Sequence, residues 1–93
     1  MLKAGDTVTI EVTQPDIDSG VCDHAGKCAI ANAACRQFSF PNAYVNGEGI
    51  DLQSADCKTI HELSIPPEAV DFMDQFDAGQ PVKPFSFQST VFK

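Results

Sequence analysis

Apolar and polar residues alternate strictly near the start of the chain. Val8, Ile10 and Val12 share one face of an extended segment, and polar side chains occupy the other face. This two-residue period predicts a half-buried strand over residues 6–13. Residues 14–20 are rich in Pro, Asp, Ser and Gly, which predicts a turn that includes one turn of helix.

Two other segments have the periodicity of helices. Residues 27–38 are rich in alanine, whose small side chains allow a helix to lie close to a sheet, and Pro41 is expected to end it. Residues 66–77 place Pro67 in a first turn and Gly79 just past the end. The spacing of the apolar residues in this second helix predicts a stripe facing the core, formed by Ala69, Phe72, Met73 and Phe76.

The remaining periodic segments predict strands. Asn46-Gly47 lies between short apolar runs at 43–45 and 50–53, which is a strong hairpin signal. Residues 58–65 alternate, and residues 85–92 follow a proline and predict an edge strand or the start of one.

The pattern predicts one compact α+β domain over residues 1–93. We expect a small antiparallel or mixed sheet of four to five strands with two helices packed on it. The longest weakly polar run, 28–35, is far shorter than the roughly 20 residues of a membrane span, so no membrane association is predicted. The first residues lack the apolar core of a signal peptide, which predicts a cytoplasmic protein.

The charge balance excludes one class of partner. The formal net charge is −7, from 13 acidic and 6 basic residues. Direct binding of nucleic acid is disfavoured, because contact with phosphates requires a basic patch. An acidic surface either keeps a protein soluble or docks on a basic surface of another protein.

Part of this acidity forms a row on the second predicted helix, opposite its apolar stripe. Glu68 complements the positive end of the helix dipole, whereas Asp77 opposes the negative end, and no base offsets it there. A charge that opposes the helix dipole, as Asp77 does, can mark a functional surface. We therefore take the row as the candidate partner-binding face, with a merely solvated face as the simpler alternative: Glu68, Asp71, Asp74 and Asp77.

The four cysteines raise a question of metal binding. A tetrahedral zinc site could be formed by Cys22, His24, Cys28 and Cys57, although this spacing is not that of a common zinc module. His61 cannot join Cys57 on one ion, since four residues of strand separate their Cα atoms by about 13 Å. Free or buried thiols and a Cys22–Cys28 disulfide are the alternatives.

Catalysis by a thiol is a further hypothesis. Cys28 lies at a predicted helix N-terminus, where a lowered pKa would favour a thiolate nucleophile with His24 or His61 as base. No motif supplies an oxyanion site, and His61 shares a strand face with Leu63, which is typical of a core histidine. We therefore predict no catalytic residues and a protein that is not an enzyme.

Two segments together resemble small uncharacterised proteins encoded by tailed bacteriophages, especially those of actinobacteria. They are VTQPDIDSG, followed by a Cys-bearing loop and CAIANAA, and PPEAVDFMDQFDAGQPVKPFSF. The resemblance implies a bacterial cytoplasm during infection as the setting, and it carries no assigned activity. The chain departs from that pattern because more residues separate Cys22 from Cys28 than in the tighter Cys pair common there, which weakens an inherited zinc site.

The leading hypothesis is a small acidic accessory protein of phage type that acts by protein–protein binding. Its expected partner is a host protein or complex with a basic surface, such as a defence complex inhibited in the manner of an anti-CRISPR protein, with carboxylates imitating nucleic-acid phosphates. A zinc-stabilised structural or adaptor module is the alternative, and a small thiol-dependent enzyme is the second alternative.

Overall fold

The predicted α+β class is confirmed. The computed structural model describes residues 3–21, 26–56 and 58–92, and within them it has five strands and three helices. In chain order they are β1 (Thr7–Val12), α1 (Gln14–Asp18), α2 (Ala29–Phe38), β2 (Asn42–Asn46), β3 (Gly49–Gln53), β4 (Ile60–Leu63), α3 (Pro67–Asp77) and β5 (Phe85–Thr90).

The strands form two antiparallel sheets where the sequence predicts one. One sheet has the order β2-β3-β4, and the other pairs β1 with β5. The two meet at a bridge between Leu63 and Val91, flanked by a 2.7 Å hydrogen bond from the Phe92 amide to the Glu62 carbonyl. Beyond this bridge the Thr90 amide donates to the Ser64 hydroxyl at 2.9 Å, and Pro66 has no amide with which to continue the ladder. The backbone therefore runs β2-β3-β4-β5-β1 across a sheet that is interrupted between β4 and β5.

One face of this combined sheet forms the core. On that face, alternate residues of β1, β2, β3 and β5 are buried or partly buried, as the two-residue period predicts, and β4 contributes buried Leu63. Helix α2 packs on β1 and β2 through a small-residue surface that allows a close approach. The largest fully buried apolar side chains are Ile10, Ile30, Ile50, Leu52, Leu63, Val12 and Val91.

Helix α2 is bounded by local hydrogen bonds at both ends. It begins at Ala29, two residues later than predicted, because Cys28 is the N-cap and its Sγ accepts a hydrogen bond from the Ala31 amide at 3.4 Å. It ends at Phe38 as predicted. The chain reverses at Ser39, which takes a left-handed conformation with φ 59°, before Pro41 is reached.

Helix α3 lies on the same side of the sheet as α2. Three residues of its predicted apolar stripe are buried and the fourth, Met73, is partly buried against the core. The ring of Phe72 stacks on that of Phe85, with centroids 4.5 Å apart. Both long helices therefore cover the core face, and no described helix packs on the opposite face of the sheet, which we call the outer face.

An ion pair fixes α1 to α2. The Asp16 carboxylate is 2.9 Å from both the amide and the hydroxyl of Thr13, which donate to it and close the first turn of α1. It also lies 3.0 Å from a guanidinium nitrogen of Arg36, twenty residues later on α2. The residue is only 5% exposed, and a buried carboxylate requires such partners.

Side chains of α2 also cover the free edge of β1. Arg36 donates to the Glu11 carbonyl at 2.8 Å, and the Gln37 amide group both donates to the Thr9 carbonyl and accepts from the Glu11 amide. These contacts use backbone groups that an edge strand would otherwise offer to another chain.

Candidate functional site

The predicted acidic row on α3 divides into two parts. Glu68, Asp71 and Asp74 are exposed, whereas Asp77 is only half-exposed. Asp77 also lies close enough to Cys28, at the start of α2, for its charge to affect that thiol. We therefore separate Asp77 from the exposed acidic row of α3, which consists of Glu68, Asp71 and Asp74.

A groove runs beside this exposed row. It lies between α3 and the segment 81–83 that leads towards β5, and Glu68, Asp71 and Lys83 are among the side chains that line it. A base therefore stands in the same groove as two of the acids. The row therefore has a local counter-charge, and none of the exposed large apolar side chains of the described residues belongs to it.

A second acidic site lies on the outer face of the sheet. The antiparallel register places Asp51 of β3 directly opposite Glu62 of β4. The same transverse line continues to Tyr44 on β2 and to Phe92, which is joined to Glu62 through its amide. Two carboxylates are thus flanked by two aromatic residues.

Exposed apolar side chains concentrate on this face. Among the described residues, four large apolar side chains are exposed, and three of them belong to the outer face: Tyr44, Ile60 and Phe92. Phe92 is 60% exposed. A hollow of about 250 Å³ opens beside it, with Asn46, Glu48, Asp51 and Glu62 in its wall.

Sequence reasoning missed this site. The alternation in 50–53 and 58–65 already indicated that Asp51 and Glu62 are on the polar side of their strands. Their direct opposition depends on the β3–β4 register, which requires the structure.

The proposed lowering of the Cys28 pKa is wrong. Burial raises the pKa of this thiol, the backbone amides at the start of α2 partly oppose the effect, and the charge of Asp77 adds to it. The side chain is 3% exposed, because the helix cap turns it into the core. Burial likewise raises the pKa of the Cys35 thiol. These thiols lack the lowered pKa of a thiolate nucleophile.

The predicted zinc ligands fall mostly outside the described residues. This applies to Cys22, His24 and Cys57, and Cys28 is the one that the structure describes. In residues 3–21, 26–56 and 58–92, no three His, Cys, Asp or Glu side chains are grouped so as to hold a metal ion.

His61 lies at the margin of the core. Its side chain is half-buried, and its ring meets that of Phe40 edge to face, with centroids 5.5 Å apart. This packing resembles the core role predicted for it.

Comparisons with protein-family models, curated protein sequences and solved structures found no match. No helix in the part of the chain that the structure describes is long and apolar enough to cross a membrane.

Proposed function

We propose that this chain is a non-enzymatic binding protein that acts by contact with a basic surface of another protein. The observation that supports this function best is the exposed acidic row of α3. Glu68, Asp71 and Asp74 all present their carboxylates to solvent on one face of a helix whose opposite face is buried. The formal net charge of −7 adds a long-range attraction to a basic partner.

We further propose a setting and a mode of action. The resemblance of VTQPDIDSG and the FDAG-containing segment to phage proteins favours a bacterial cytoplasm during infection. There the carboxylates would occupy positions that phosphates take in a basic groove, so the protein would block a nucleic-acid-binding defence complex as an anti-CRISPR protein does.

Affinity capture followed by reconstitution tests this function. Tagged protein is incubated with bacterial lysate at low salt, captured proteins are identified by mass spectrometry, and binding is repeated with the purified candidate over a salt series. We expect a specific partner whose affinity falls as salt rises, because the contact is electrostatic. Absence of a specific partner even at low salt would count decisively against the proposal.

A matched pair of variants locates the contact. Combining Glu68→Gln, Asp71→Asn and Asp74→Asn removes three negative charges from the row, and we expect affinity to fall by about tenfold or more. Combining Asp6→Asn, Asp18→Asn and Asp56→Asn removes the same charge elsewhere and serves as the control. Equal losses in both variants would show that only net charge matters.

The zinc-stabilised module remains the alternative proposal. Cys28 would be its described ligand, at the start of α2. Metal analysis of protein purified without chelator tests this alternative: about one equivalent of zinc, lost in Cys28→Ser, would support it. The thiol-dependent enzyme is the weaker alternative, because the pKa values of Cys28 and Cys35 are raised.

A further inference from the structure

The groove beside the exposed acidic row of α3 has an apolar lining as well as a charged rim. Its apolar side chains are Phe72 from α3 and Pro81 and Val82 from the segment 81–83. Its volume is about 410 Å³, which lies within the range of protein pockets that bind ligands. The groove therefore adds apolar contact area to a surface on which the acids alone would act only through charge.

The wall opposite α3 is held in place by this chain itself. The Gln80 amide donates to the Gln75 carbonyl at 3.0 Å, which ties the start of the wall to the helix. Pro81 and Pro84 restrict the backbone and keep the residue before each of them extended. The ring of Phe85 then stacks on an aromatic ring of α3. Because the groove is ordered in advance, binding requires little further ordering of this chain.

Two acids of the row line this groove without a partner of their own. Glu68 and Asp71 are exposed, and no hydrogen bond or ion pair engages either carboxylate within the described ranges. Lys83 lies on the opposite wall and forms no ion pair with them. Asp74 belongs to the same row but lies outside the lining of the groove. The groove thus combines a negative wall, an apolar lining and one positive group opposite the acids.

We propose that this groove docks a short segment of the basic partner, which places a bulky apolar side chain in the groove and an adjacent Arg or Lys beside Glu68 and Asp71. The inference rests on the proposed function. It deepens that function by assigning the contact to an apolar site with an acidic rim, where the row alone would offer only charge.

Charge complementarity selects the chemistry of this segment. Carboxylates attract a cationic side chain, and the attraction is stronger where apolar packing beside it excludes water. The methylene stem of Arg or Lys can lie on the apolar lining while its charged head reaches the carboxylates. Lys83 repels a base from the opposite wall, so we expect the segment to bind in one orientation.

Two other occupants fit this groove less well. A nucleic acid would bring phosphates towards Glu68 and Asp71, which repel them. A second copy of this chain carries the same formal net charge of −7, so its approach is opposed at low salt, where attraction to a basic partner is strongest.

Nuclear magnetic resonance with defined peptides tests the inference on the unmodified chain. Isotope-labelled protein is titrated with the capped peptide Ser-Arg-Leu-Arg-Ser and with two matched peptides, one with Ser in place of Leu and one with citrulline in place of both Arg residues. We expect amide shift changes in residues 68–75 and at Val82 and Lys83. Replacing Leu should weaken binding about fivefold or more, and replacing both Arg residues about tenfold or more.

Variants of the wall opposite α3 separate apolar contact from charge. Val82→Ser should weaken binding of the Leu peptide about fivefold, whereas Val21→Ser, at an exposed valine outside the groove, should leave it within about twofold. Lys83→Gln should strengthen binding about threefold because a repelling charge is removed, and Lys58→Gln, outside the groove, should change it less than about 1.5-fold. The amide spectrum of each variant reports its folding. If Val82→Ser fails to fold, the Leu and Ser peptides on the unmodified chain decide the matter.

The acidic row provides an internal comparison. Asp71→Asn should weaken binding of the Leu peptide about threefold or more, because Asp71 lines the groove. Asp74→Asn should weaken it less, because Asp74 acts on the segment only at longer range. A larger loss in Asp74→Asn would place the contact on another part of the row and would overturn the inference.

Three further results would overturn it. They are equal affinity for the Leu and Ser peptides, weaker binding of the Leu peptide by Lys83→Gln, and self-association at low salt that Val82→Ser abolishes in sedimentation experiments. If a captured partner is lost with the α3 triple variant but retains its affinity for Val82→Ser, this inference fails while the proposed function stands. If no partner is captured, both fail.

Discussion

Two carboxylate sites of this chain are built in opposite ways. Asp16 is almost fully buried and receives hydrogen bonds from Thr13 and from the Arg36 guanidinium. Asp51 lies on the open outer face, directly opposite Glu62, a second acid. The first site joins two helices, whereas the second places like charges side by side.

The difference separates an acid that holds the fold together from a pair of acids whose like charges oppose each other across two strands. Hydrogen bonds to a charged group contribute about 1.5–3 kcal/mol each, so the Asp16 site stabilises the native state. A like-charged cross-strand pair costs a few tenths of a kcal/mol up to about 1 kcal/mol. Removing the Asp16 charge should therefore lower the free energy of unfolding, whereas removing the Asp51 charge should leave it unchanged or raise it.

The largest expected effect follows from removing the buried acid. Asp16→Ala should lower the free energy of unfolding by about 2–3 kcal/mol, because the Thr13 amide and hydroxyl lose their acceptor and Arg36 loses its partner. Chemical denaturation of the variant against the unmodified chain measures it. Exposed Asp18→Ala, in the same helix, should cost less than about 0.5 kcal/mol. A loss below about 1 kcal/mol at Asp16 would erase the contrast between the two sites.

Lowering the pH should reveal the contribution of Asp16 to stability without any substitution. Burial tends to raise the pKa of Asp16, but the hydrogen bonds from Arg36 and Thr13 together hold it below its ordinary value. The unfolded chain therefore takes up this proton first as the pH falls. The stability that Asp16 contributes is complete above about pH 4 and is lost as the pH falls through the lower folded-state pKa.

Comparing Asp16→Asn with the unmodified chain isolates the stability that the charged Asp16 carboxylate contributes. The difference in their free energies of unfolding should be constant near neutral pH and should shrink below about pH 4. Denaturation series at several pH values measure it. A difference that grows on acidification would contradict the assignment.

The helices and strands could be predicted from the sequence, but these two carboxylate sites could not. Local period and turn chemistry predicted β1, the β2–β3 hairpin and the buried stripe of α3, because each depends on neighbours along the chain. The Asp16–Arg36 pair joins residues twenty positions apart, and no local pattern marks it. The division of the sheet depends on how β4 meets β5, and the opposition of Asp51 to Glu62 depends on register.

Neutralising the outer-face acid should have the reverse effect of removing Asp16. Asp51→Asn should leave the free energy of unfolding unchanged or raise it by up to about 1 kcal/mol, since it relieves repulsion from Glu62. The gain should shrink as salt is added, because charges that solvent can reach are screened. Asp51→Glu, which retains the charge, is the matched control. A clear loss of stability in Asp51→Asn would show that this acid, like Asp16, stabilises the fold.

The smallest effect concerns the exposed acidic row of α3. Glu68 lies in the first turn of the helix and Asp74 in the last, so the helix dipole favours the first charge and opposes the second. Glu68→Gln should therefore lower the free energy of unfolding by about 0.3 kcal/mol, and Asp74→Asn should raise it by a similar amount. Paired thermal and denaturant unfolding at low salt can resolve the difference between the two variants, which should decline in high salt. Equal changes of one sign would mean that the row acts through net charge alone, and its members could not then be distinguished by position on the helix.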